Sequence, residues 1–169
     1  MGAEIDIINK TGEFEPRADL KVKFSKLKGI NLDAELVPNL IDELPAFFVA
    51  AAMSSGSTAV RDAEELRHKE SDRLEAMGYV LRSLGVDFNM HQDGIDINGL
   101  DDNIAFSSYT GGIIESFGDH RIAMSSAIAC SLFDQESLVL NTDNVNTSFP
   151  TFLEISEQVG LDISSEEGL

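Results

Sequence analysis

The chain has 169 residues, 43% of them hydrophobic, enough to bury the core of about one domain. Thirty acidic against twelve basic residues give a formal net charge of −18, which excludes a nucleic-acid partner and disfavours an anionic membrane surface, because both need Lys and Arg to neutralise phosphates. A lone Cys130, no apolar stretch of bilayer length and no basic-then-apolar start point to a soluble, cytoplasmic protein.

The first residues, Met1-Gly2-Ala3-Glu4-Ile5, belong to a phrase that recurs as Leu84-Gly85-Val86-Asp87-Phe88 and Val159-Gly160-Leu161-Asp162-Ile163. Each reads as a helix end whose Gly takes the left-handed cap conformation, followed by a strand. On this reading residues 1–16 close a preceding, truncated unit, so the chain is expected to be cut from something longer. Asp19 to Ser25 alternates as a strand, with Leu20, Val22 and Phe24 on one face and Lys21, Lys23, Lys26 and Lys28 guarding its edge. A helix is predicted from about Glu43 to Ser54, with Asp42 as a candidate cap and Pro45 in the first turn. A strand at Thr58–Arg61 and a helix at Asp72–Leu84 follow. Strands Asp87–Met90 and Gly94–Ile97, paired around Asp93-Gly94, complete the β-α-β-α-β-β order.

A second copy is predicted from Ile104 to Ile163, without its final strands. Asp42 and Asp119 stand 77 residues apart, each before an apolar helix, and Ser71 and Ser148 repeat the same offset before amphipathic stretches. The expected fold is α/β, of the α+β type, forming an incomplete domain with units at about 17–99 and 103–164. Its helices should be buried and parallel, with the sheets outside. The helices opening at Asp42 and Asp119 are apolar on nearly every face, which is the pattern of buried helices. Their N-termini should lie on one side. The last residues, 164–169, read as a polar tail.

Positive charge is scarce and clustered. Beyond Ile30 the only cations are Arg61, Arg67, Lys69, Arg73, Arg82 and Arg121. With Ser71 and Asp119 as caps, Arg73 and the pair His120-Arg121 fall in first helical turns, where the helix dipole opposes a cation. An anion bound at those N-termini would account for the placement, and Arg73, Arg121, Asp42, Glu70 and His120 should then share one solvent-open surface. Plain readings stand beside this one. Asp42 and Asp119 read equally as simple caps, and Arg67, Lys69 and Arg73 as a solvated face answering Glu64, Glu65, Glu70 and Asp72. No metal site is expected, because His68 and His91 lack ligand partners at useful spacing.

Lys69-Glu70-Ser71-Asp72-Arg73, after Glu64-Glu65-Leu66-Arg67, resembles a signature of the 5-enolpyruvylshikimate-3-phosphate synthase (3-phosphoshikimate 1-carboxyvinyltransferase) family. Gly118-Asp119-His120-Arg121-Ile122-Ala123-Met124 resembles a second. The stretches around Ala18–Ile30, Ile41–Pro45 and Ser148-Phe149-Pro150 are similar in the same order. The resemblance implies two domains of three repeated units each, this chain being the C-terminal part of one. It implies transfer of the enolpyruvyl group of phosphoenolpyruvate to the 5-hydroxyl of shikimate-3-phosphate with release of phosphate, a step of aromatic amino-acid biosynthesis that needs no cofactor. By the same resemblance, Asp42 contacts the shikimate hydroxyls and accepts the proton, and Glu70 donates one. Lys69 would contact shikimate-3-phosphate, while Arg73 and Arg121 hold phosphoenolpyruvate with His120 close by. Thr147 stands where some members carry Lys, and Glu65 where some carry Asn, so neither is assigned a substrate. Without the missing N-terminal part of the enzyme the chain is expected to be inactive. The related transferase acting on UDP-N-acetylglucosamine fits the Lys69–Arg73 motif less well. A non-catalytic anion-binding module would keep the arginines without needing Asp42 and Glu70.

Overall fold

In the computed structural model, which describes residues 1–100 and 109–166, β1 (Glu4–Thr11) folds back on β2 (Arg17–Lys23) as an antiparallel ribbon. Ile5 stands opposite Val22 and Ile7 opposite Leu20. Lys21 pairs in register with Asp6, and Lys23 makes an ion pair with Glu4. The apolar residues of the ribbon, Phe24 included, remain exposed.

A 3₁₀ turn (Ala34–Leu36), the short α1 (Val37–Leu40) and a second 3₁₀ turn (Ile41–Glu43) run without a break into α2 (Leu44–Ala52). Asp42 therefore lies inside a turn and caps nothing. The residue before the helix is Glu43, already in helical conformation and without a side-chain capping bond. Pro45 occupies the first turn, where its missing N–H costs nothing. Leu44, Phe48, Ala51 and Ala52 are fully buried.

The central sheet joins β3 (Ser57–Val60), β4 (Asp87–His91) and β5 (Gly94–Asn98) in the order β3-β5-β4, all antiparallel. The β4–β5 hairpin turns at Gln92-Asp93, one residue ahead of the predicted Asp93-Gly94, and Gly94 already belongs to β5. A Cβ at Gly94 would meet the Val60 carbonyl oxygen at 2.0 Å, so only Gly permits this approach of β5 to β3. Between β3 and β4 lie a 3₁₀ turn (Glu64–His68) and α3 (Arg73–Ser83). The cap of α3 is Asp72, whose side chain accepts from the Glu75 N–H, and not Ser71. The Ser71 hydroxyl is instead engaged by a distant carboxylate.

β6 (Gly112–Glu115) and β7 (Ser137–Leu140) pair in parallel with α4 (His120–Cys130) between them. The segment at Lys28 and Asn31 bridges in parallel to Ser55 and Ala59, with α2 between. Each helix thus forms a crossover between parallel segments. The N-terminal ends of α2 and α4 lie together, as the 77-residue offset anticipates. Burial of α4 covers Ile122, Ala123, Ser125, Ser126, Ala129 and Cys130, while Ile128 and, just beyond the helix, Leu132 are exposed, contrary to expectation. The chain ends in α5 (Asn144–Ser148) and α6 (Phe152–Gln158). Ser148 closes α5, and the residue ahead of α6 is Thr151.

All three glycines of the recurring phrase have left-handed φ angles: Gly2 at 82°, Gly85 at 76° and Gly160 at 85°. Gly85 and Gly160 follow helices directly, donating back to the carbonyls of Arg82 and Glu157. Strands follow Gly2 and Gly85. None follows Gly160 among the described residues. The predicted opening of the second unit at Ile104 lies outside the described residues, as do residues 167–169.

Candidate active site

Three helices begin at one place, and the side chain of Arg73 crosses the junction. Arg73 is the first residue of α3, set there by the Asp72 cap, and its side chain is 1% exposed. Its Nε donates to Asp119 Oδ2 at 2.8 Å, at the start of α4. Its Nη1 donates to Asp42 Oδ1 at 3.0 Å, beside the start of α2. Its Nη2 donates to Glu70 Oε2 at 2.5 Å. A guanidinium deprived of water is tolerated because carboxylates occupy each of its edges. Burial works to lower the Arg73 pKa, and Asp119, Glu70 and Asp42 reverse that and raise it.

The expectation of a solvent-open Arg73 is therefore corrected. The solvated-face reading fails too, because three carboxylates draw the side chain inward. Solvent reaches the cluster through Asp42 and Glu70, whose side chains are 47% and 54% exposed. An anion approaching Arg73 has to displace one of those two carboxylates.

Asp119 is 0% exposed. It caps α4 by accepting from the Arg121 N–H at 2.9 Å and also accepts from Ser71 Oγ at 3.1 Å. Burial pushes its pKa up, but the Arg73 guanidinium and the other donors outweigh that and hold it below the usual carboxylate range. Asp42 shows the same balance. Burial raises it, and the charges of Lys69, Arg121 and Arg73 bring it below its ordinary value.

Arg121 reaches from α4 to α2. Its Nη1 donates to the Asp42 carbonyl at 2.6 Å and to Glu43 Oε1 at 3.0 Å. Lys69 Nζ lies 2.6 Å from Glu65 Oε1 and 3.4 Å from Asp42 Oδ1. The bond to Glu65, ahead of the smaller opposing effect of desolvation, raises the Lys69 pKa, with Asp42 adding to it. His120 opens α4, half-buried beside Arg121. The structure thus gathers Asp42, Lys69, Glu70, Arg73 and Arg121 into one contiguous network, with His120 at its margin. Thr147 is exposed on α5.

The sequence assigns Asp119 only a cap and Glu43 no part, while Glu65 answers Lys69 as the solvated-face reading has it. A carboxylate immediately ahead of His-Arg at a helix start was the available signal, since a first-turn cation needs an anion nearby. Arg67 is also no solvated side chain. It donates to the carbonyls of Gln92 and His91 and to Asp72 Oδ2 at 2.9 Å, tying the start of α3 to the β4–β5 hairpin. Among the described residues no cluster of His, Cys, Asp and Glu could hold a metal ion. No helix among them is long and apolar enough to cross a membrane.

This arrangement pairs two solvent-reached carboxylates with three cations, suiting proton exchange beside an anionic substrate. The chain resembles, at 44% identity over 96% of its length, the 3-phosphoshikimate 1-carboxyvinyltransferase of Magnetococcus marinus, and at 41% over 99% that of Coxiella burnetii. It superposes on an EPSP synthase structure from Acinetobacter baumannii with a TM-score of 0.90, 42% identity and 98% of the chain covered. The chain spans 36% and 37% of the two curated relatives and 38% of that structure's chain. Residues 1–155 match the family described as EPSP synthase (3-phosphoshikimate 1-carboxyvinyltransferase), and the chain belongs to that family.

Proposed function

We propose that this chain forms one wall of a site that transfers the enolpyruvyl group of phosphoenolpyruvate to the 5-hydroxyl of shikimate-3-phosphate in the cytoplasm. The remainder of the same enzyme supplies the opposite wall. Asp42 takes the proton of the attacking hydroxyl as its oxygen bonds to C2 of phosphoenolpyruvate, and Glu70 delivers a proton to C3. The resulting tetrahedral intermediate expels phosphate by C–O cleavage and returns a proton from C3 to Glu70, restoring the enol ether. Lys69 holds shikimate-3-phosphate, Arg121 and His120 face phosphoenolpyruvate, and Arg73 reaches it only when Asp42 or Glu70 gives way. No metal or cofactor takes part in these steps. The observation that supports the reading is that Asp42 and Glu70, both reached by solvent, share the Arg73 guanidinium at 3.0 and 2.5 Å, so two carboxylates face one cation. The same geometry supports reading residues 17–99 and 103–164 as two copies of one unit, since α2 and α4 both bring their N-termini to this point.

The test is phosphate release by the complete enzyme with both substrates present. Asp42→Ala and Glu70→Gln should each lower kcat by at least 10²-fold, in the range expected for loss of a positioned acid or base. Wild-type rates in both variants would overturn the assignment.

A further inference from the structure

We propose that Asp119 is a positioning residue for this reaction: it anchors Arg73 from beneath, so that the guanidinium fixes the spacing of Asp42 and Glu70. The role rests on the functional reading above, but its geometry is independent of it. A cap needs only one bond, and Asp119 makes that bond to the Arg121 N–H. Its other oxygen takes Arg73 Nε at 2.8 Å and Ser71 Oγ at 3.1 Å, so a single buried carboxylate ties the start of α4 to the loop carrying Glu70. A guanidinium is planar and rigid. Once its Nε edge is held by Asp119, its Nη1 and Nη2 can only point where they do, at Asp42 and Glu70. Those two carboxylates are solvent-reached and change partners or protonation as substrates turn over. Asp119 is sealed, and it remains the constant partner that keeps the buried cation neutralised and in place.

Asp119→Asn separates this role from capping. Asn is as good a cap and has the same size, but it carries no charge. In the complete enzyme we expect Asp119→Asn to lower kcat at least tenfold while KM for either substrate changes less than threefold. The pH profile of kcat should move to lower pH, because the guanidinium charge then falls more fully on Asp42. Arginine-labelled NMR of the same protein without substrates reads the positioning directly. The Arg73 Nε–H should exchange at least tenfold faster in the variant than in the wild type. An unchanged kcat and profile, or an unchanged Nε–H exchange rate, overturns the proposal. If the wild-type enzyme shows no enolpyruvyl transfer while the Nε–H rate rises as expected, the functional reading falls and the anchoring of Arg73 stands.

Discussion

Arg73 and Asp119, one the first residue of α3 and the other the cap of α4, meet at 2.8 Å with both side chains sealed from solvent. The pair is separated by 46 residues in sequence, and it joins two helix N-termini whose positive ends would otherwise repel a cation. Desolvating both charges is unfavourable. The additional bonds to Asp42, Glu70, Ser71 and the Arg121 N–H offset that cost.

Removing one partner should then be far worse than removing both. Arg73→Ala leaves Asp119 buried and uncompensated, and is expected to lower stability by about 3–5 kcal/mol. Arg73→Lys should recover only part of this, since an ammonium cannot address three carboxylates in a plane. Urea denaturation of the three proteins measures the differences. A loss below about 1 kcal/mol for Arg73→Ala would show that the pair is not the anchor described.

Acid should act through the same group. Asp119 holds its proton less tightly in the folded chain than its ordinary value implies, so its charge stabilises the fold fully above about pH 4. That contribution disappears as pH falls through the depressed folded value. Asp119→Asn should therefore be less stable than wild type at pH 7, with the gap closing on acidification. Denaturation midpoints of both proteins at pH 7, 4 and 3 decide it; a constant gap contradicts the assignment.

What was legible in the sequence was local. Gly2, Gly85 and Gly160 announced left-handed backbone because only Gly takes it freely, and Asp119 announced a cap because its oxygen reaches its own first turn. Asp42 misled because a 3₁₀ turn continuous with α2 removed the capping position. Arg73 misled more deeply. Lys69-Glu70-Ser71-Asp72-Arg73 has the composition of a solvated loop, and nothing nearby says that its last side chain turns inward. That depends on Asp119, and no local pattern encodes a pairing across 46 residues. The site residues assigned by resemblance were brought together by the fold. Their common anchor emerged only from the packing of α3 against α4.

The chain by itself should show no enolpyruvyl transfer. Asp42 and Glu70 lie open to solvent, and an open site provides neither orientation of two substrates nor exclusion of water. A phosphate-release assay on the 169-residue chain with both substrates should stay at background. Turnover above it would mean that these residues assemble a sufficient site alone.

Arg121 offers the sharpest test of how labour is divided among the cations. It is the only Lys or Arg after position 82 in a segment that carries fifteen acids. It bridges two helix starts through the Asp42 carbonyl and Glu43, and its side chain is 29% exposed. Arg73 is wholly occupied by carboxylates of the chain, so an arriving anion meets Arg121 first. In the complete enzyme, Arg121→Ala should weaken phosphoenolpyruvate binding by about 2–5 kcal/mol, the range for a desolvated charge pair. Shikimate-3-phosphate, assigned to Lys69, should lose much less. Calorimetric titration of each ligand in turn separates the two effects. Equal losses for both would mean that Arg121 acts by holding α2 to α4, and that the anion is carried elsewhere in the site.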